Sequence, residues 1–164
     1  MAAMLLLVTA MSLAVQAESS TPSLAERAVA AFVSTCLAHR GEGVDAVTRS
    51  IQSQPNVTEM TSLPALANVG KPMRMFGGGE IEYLVRLDRN SSFGCFVAFK
   101  SPDHDNTEAM VIALSAQPGM SLLPAKKSKK LAFDWSITGS KDSVRLVPQS
   151  QLGGVLINLE VEKK

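Results

Sequence analysis

Polar and apolar residues alternate with period two along several stretches of this chain. In Glu80 to Leu87, Ile81, Tyr83, Val85 and Leu87 fall on one side and Glu80, Glu82 and Arg86 on the other, with Leu84 as the exception. That is the pattern of a strand with one buried face. Turn-forming residues from Asp88 to Ser92 then reverse the chain into Ser92 to Lys100, where Phe93, Cys95, Val97 and Phe99 share a face. Farther on, Leu131, Phe133, Trp135 and Ile137 alternate with Asp134, Ser136 and Thr138. Ser143 to Val147 predicts a fourth strand, and Val155, Ile157, Leu159 and Val161 a fifth, opened by Gly153-Gly154.

Helical spacing occupies the remainder. Ser23-Leu24-Ala25-Glu26 is a capping box, and Val29, Phe32, Val33 and Cys36 then fall at helical intervals, so the spacing predicts a helix to about His39 with Cys36 on its buried stripe and Gly41 as the left-handed stop. His39 and Arg40 suit its last turn as cations. A shorter helix spans Gly43 to Ser53, with Val44, Val47 and Ile51 on one side. Asp105 and Glu108 form a second capping box, opening a helix from Thr107 to about Gln117 that Pro118-Gly119 closes. Between residues 55 and 79 no period is sustained; a short strand near Met73 to Phe76 and the joint Gly77-Gly78-Gly79 interrupt a long connection.

These elements predict a two-layer α+β domain, with an antiparallel sheet of about five strands in ββαβββ order and helices on one face. The order is similar to profilin-like and roadblock-like domains, an architectural analogy that transfers no activity. If Cys95, Trp135 and Ile157 face the helices, then Leu84, Phe96 and Leu156 face away, and Leu84 and Phe96 lie opposite each other as a candidate partner surface.

Composition narrows the setting. The chain has 164 residues, 46% hydrophobic and 19% charged, enough for one core, so residues 18 to 164 are expected to form a single domain. A net charge of +1 and 5% aromatic residues offer neither the field nor the stacking platforms of a nucleic-acid binder. The first seventeen residues, with an apolar run from Met4 to about Val15 and a Val15-Gln16-Ala17 site, read as a signal peptide cleaved after Ala17, although no Lys or Arg precedes the run. No second apolar stretch of spanning length follows, so no transmembrane segment is expected in the mature chain, which would be periplasmic or secreted. In an oxidising compartment the two cysteines allow one pairing, Cys36 with Cys95, which the chain-entropy model values at about 4 kcal/mol for a loop of this size.

Candidate chemistry is sparse. Asp103, His104, Asp105 and Glu108 gather in the most metal-like cluster of the chain, but Asp105 with Glu108 is also the helix cap, and the glycine and distal glutamate of a calcium loop are missing. Cys36-x-x-His39 has a ligand-like spacing that the disulfide and the helix end already explain. Lys126, Lys127, Lys129 and Lys130 read as a solvated turn. Asn56 and Asn90 match the glycosylation acceptor pattern, relevant only in a eukaryotic secretory pathway. Serine-hydrolase, zincin, Rossmann and P-loop motifs are absent. No catalytic, metal-binding or cofactor-binding residue is assigned and no cofactor is expected. The expected role is a non-enzymatic binding or accessory module of the cell envelope, whose partner is an envelope protein or component or a second copy of the chain. The alternative is a small metal-dependent hydrolase using Asp103, His104, Asp105 and Glu108.

The export signal, F-V-S-T-C-L-A-H-R-G from Phe32 and G-C-F-V-A-F from Gly94 together resemble a loose group of small exported proteobacterial proteins of unknown function. The resemblance implies a bacterial periplasmic or secreted setting and brings no catalytic residues with it.

Overall fold

The computed structural model describes residues 21–60, 72–88, 92–100, 107–124, 132–148 and 154–162. The signal segment, the Asp103-His104-Asp105 cluster, Asn90, Gly153 and the Lys126 to Lys130 run lie outside the described residues.

Three α-helices, α1 (Leu24–Phe32), α2 (Val44–Gln52) and α3 (Thr107–Ser115), accompany eight strands among the described residues. The strands are β1 (Thr58–Met60), β2 (Met73–Gly77), β3 (Ile81–Leu87), β4 (Phe93–Phe99), β5 (Met120–Leu122), β6 (Phe133–Ile137), β7 (Ser143–Val147) and β8 (Val155–Val161). They form one antiparallel sheet in the order β1-β2-β3-β4-β8-β7-β6-β5. The α+β class and the antiparallel sheet agree with the sequence pattern. The expected five strands and ββαβββ order do not, because β1, β2 and β5 join the sheet as well. Strands β1 and β5 are three residues long, too short to show an alternation. The architecture is two four-stranded meanders, each preceded by helix, with their last strands β4 and β8 paired in the middle.

One face of the sheet carries the core. Phe76, Tyr83, Val85, Cys95, Val97, Phe99, Trp135, Val144, Leu146, Ile157 and Leu159 point to it. Against them pack Val29 and Phe32 of α1, Val47 and Ile51 of α2 and Met110 and Leu114 of α3. Trp135 is fully buried, and its indole N–H donates to the Ser115 hydroxyl of α3 at 3.0 Å, which satisfies the one polar atom of the largest core side chain.

The first helix starts as the capping box predicts: the Glu26 N–H donates to Ser23 Oγ at 3.2 Å, and the Ser23 N–H to Glu26 Oε2 at 2.7 Å. Its end differs. After Phe32 the chain enters a π-helical turn, Val33–Leu37, in which the Ala38 N–H donates to the Val33 carbonyl at 2.9 Å. Thr35, Cys36 and Leu37 of this wider turn are all buried. Thr35 Oγ1 donates to the Ala31 carbonyl at 2.6 Å, so its hydroxyl is satisfied in the core. Cys36 is bonded to Cys95 of β4, with Cα atoms 5.7 Å apart. The left-handed stop is Gly43 (φ 93) rather than Gly41, which lies inside a 3-10 turn, Arg40–Glu42. Gly77-Gly78-Gly79 leads from β2 into β3 with Gly78 pressed against the backbone of Asn56, so it is a packed turn rather than a loose joint.

The Ser23 backbone N–H, and after it the Ser23 hydroxyl, hold the Glu26 carboxyl below its ordinary value. A depressed folded pKa stabilises above the unfolded value of 4.5 and is lost as pH falls through the folded one. The melting-temperature difference between the wild type and Glu26→Gln should therefore be constant at neutral pH and shrink below about pH 4.5, as thermal melts across an acid series would show.

Candidate functional site

All three helices sit on one side of the sheet, and among the described residues the other side carries the outward residues of the strands. Read across the register, one row runs Met60, Met75, Leu84, Phe96, Asn158, Arg145, Asp134 from β1 to β6. Leu84 and Phe96 are direct partners, as the hairpin pattern predicts. Leu156 stands diagonally from Phe96, paired with Ala98 and Val147. The row is apolar on the first meander and polar on the second.

A second row, Met73, Arg86, Gly94, Glu160, Ser143, Ser136, lies beside it. Gly94 has no side chain to separate Arg86 on β3 from Glu160 on β8, so the guanidinium crosses β4 and donates to Glu160 Oε2 at 2.7 Å and to Asp88 Oδ2 at 2.9 Å. Its carbon stands 5.2 Å above the centroid of the Phe96 ring, a cation–π contact that lids the phenyl group. Hydrogen bonds to Asp88 first and to Glu160 second hold Arg86 above its ordinary pKa despite partial burial. Glu160 also accepts from Asn158 Nδ2 at 2.9 Å, while Asn158 Oδ1 is buried with no hydrogen-bond partner among the described residues.

The three surface residues expected from sequence are thus brought to one face but not to equal exposure. Phe96 is 8% exposed beneath Arg86, and Leu84 and Leu156 are half-buried. Met60, at the edge of the same row, is 42% exposed. The alternation that turns Leu84, Phe96 and Leu156 outward also turns Arg86, Asn158 and Glu160 outward; the sequence reading missed the network that joins them and the part played by Gly94. Gly94 was the available signal, as a residue without a side chain on the outward side of a strand.

A second feature lies at one end of the sheet, where a cleft of about 400 Å³ is lined by Arg40, Asp45, Phe93, Asp142 and Glu162 among others. Asp142 is buried; its Oδ1 accepts the Glu162 N–H at 3.2 Å and its Oδ2 is 3.7 Å from Arg40 Nε. His39 meets Glu42 at 2.9 Å, a helix-end partner consistent with a structural part. Among the described residues no three His, Cys, Asp or Glu side chains are grouped to hold a metal ion. Of the metal-like cluster only Glu108 is described, exposed in the first turn of α3.

No family model, no curated protein and no solved structure matches the chain, so the profilin-like and roadblock-like analogy has no support from a known fold.

A Cβ at position 94 would come within 2.8 Å of the Phe96 ring and 3.2 Å of Arg86 Nη2. Gly94→Ala should therefore displace both and cost about 1–3 kcal/mol, measurable by urea denaturation.

Proposed function

We propose that this chain is an exported, disulfide-stapled binding or accessory module of the bacterial cell envelope, and that it meets a partner protein through the face of the sheet opposite its helices. The observation that carries this reading is the row Met60, Met75, Leu84, Phe96, Asn158. Its four apolar side chains lie together on a face that carries no helix among the described residues, beside a buried amide oxygen that has no partner among them. Leu156 extends the surface along β8.

Export is supported by the buried Cys36–Cys95 bond, a linkage characteristic of oxidising compartments. In the described residues no helix is long and apolar enough to cross a membrane. If the first seventeen residues are removed on export, N-terminal sequencing of protein recovered from the envelope should begin at Glu18, and recovery of Met1 would refute cleavage.

The surface is tested by separating association from stability. Leu84→Ser and Met75→Ser should weaken self-association or co-purification with an envelope partner while leaving the melting temperature nearly unchanged. Phe96→Ser should instead cost about 3–5 kcal/mol of stability, because Phe96 is 8% exposed. A large loss of stability in all three variants with unchanged association would show that the row is only core.

A further inference from the structure

The disulfide and the end cleft are joined by a short chain of contacts. Cys36 lies in the π-helical turn that ends the first helical segment. The carbonyl of the next residue, Leu37, accepts from Arg40 Nη1 at 2.8 Å. Arg40 Nε is 3.7 Å from Asp142 Oδ2, and Asp142 Oδ1 receives the Glu162 N–H at 3.2 Å. The Asp142 N–H in turn donates to Ser140 Oγ at 3.1 Å. Arg40, Ser140, Asp142 and Glu162 are all cleft walls. The geometry of Val33–Leu37 is one that helices rarely adopt unaided, and V-S-T-C-L contains no glycine or proline to impose it. The contacts on it are the bond of Cys36 to Cys95, the Thr35 hydroxyl donating to the Ala31 carbonyl at 2.6 Å, and burial of Thr35 and Leu37 on either side.

We propose that the Cys36–Cys95 bond is the latch of the end cleft. When it forms, the two thiols lose two protons and two electrons to a disulfide oxidant: the sulfur–sulfur bond of the oxidant breaks, that of the protein forms, and the oxidant leaves as two thiols. The new bond fixes Cys36 on β4 and the turn takes its wide form. The Leu37 carbonyl is then placed to receive Arg40, and Arg40 is placed beside Asp142. In the dithiol chain the same turn relaxes to α register, the Ala38 N–H moves from the Val33 carbonyl to that of Ser34, and Arg40 rotates off Asp142. The cleft is therefore complete only in the oxidised protein, and oxidation after export is the step that builds it.

Amide hydrogen exchange tests this on the full mature chain. In Cys36→Ala/Cys95→Ala, the amide of Glu162 should exchange at least about tenfold faster than in the oxidised protein, while Thr138, bonded to Gly119 across β5 and β6, keeps its rate. An unchanged Glu162 rate in a folded double variant would overturn the proposal. Should that variant not fold, Arg40→Gln in the oxidised protein decides. Faster exchange at Glu162 with Ala38 unchanged supports the order from turn to Arg40 to Asp142. No change at Glu162 breaks the chain of contacts, and equal acceleration at both positions shows that Arg40 holds the turn rather than the reverse; either result overturns it.

Discussion

The continuity of this sheet depends on the pairing of β4 with β8. Each four-stranded meander is built from sequential hairpins, the pairings that cost least loop-closure entropy. The β4–β8 pairing is of another kind. It joins Phe93 to Val161 and Phe99 to Val155, with α3 and the whole of the second meander intervening. Its inner side is the stack of Cys95, Val97 and Phe99 on Leu159, Ile157 and Val155, all buried. Strand β4 is buried on both faces at every position except Ala98, which explains why F-G-C-F-V-A-F has no charged residue although its hairpin partner β3 alternates. The same strand receives the disulfide from the first helical segment. Two long-range constraints, one backbone and one covalent, therefore converge on seven residues.

The outer face answers the same problem with electrostatics. Arg86 touches all three central strands: it belongs to β3, lies over Phe96 of β4 and is hydrogen-bonded to Glu160 of β8. At 20% side-chain exposure, with Asp88 at 16%, this pair is partly desolvated, unlike Arg27–Glu80 at 47% and 62%. Exposed pairs of that second kind contribute about 0–1 kcal/mol. The Arg86 network matters more for register: a slip of one residue between β4 and β8 would carry Glu160 to the core side and leave the guanidinium over an apolar strand.

What could be read from the chain follows the length of the elements. Strands of five or seven residues with one polar face announced themselves, as did the capping box at Ser23, because each repeats a local rule several times over. Leu84 was informative as an exception, and its pairing with Phe96 follows from the hairpin alone. The exposure of Phe96 did not follow, since its cover is Arg86 from the neighbouring strand and the space for that cover is Gly94. The π turn was hidden because Val29, Phe32, Val33 and Cys36 fit α spacing equally well. Short strands escaped for a simpler reason: Met120-Ser121-Leu122 holds one alternation, and Thr58–Met60 is exposed throughout. The β4–β8 adjacency has no local signature at all, and the outer-face network depends on it.

An open sheet has two edges as well as two faces, and the edges are poorly suited to association. Strand β1 offers three exposed residues, with Glu59 held by Arg74 of β2 through two hydrogen bonds of 2.8 and 2.7 Å, so a strand added there would meet an ion pair on the helix side of the sheet. Strand β5 is as short, and although Leu122 and Leu123 are 47% and 39% exposed, Pro124 ends its donor groups and four lysines follow within six residues. Brevity, charge and proline are the devices by which sheet edges resist pairing with another chain. Among the described residues, the face opposite the helices has none of them along Met75 and Leu84. Association that extends the hydrogen-bonded ladder is thus opposed at both ends, and association that stacks a partner on the outer face is not.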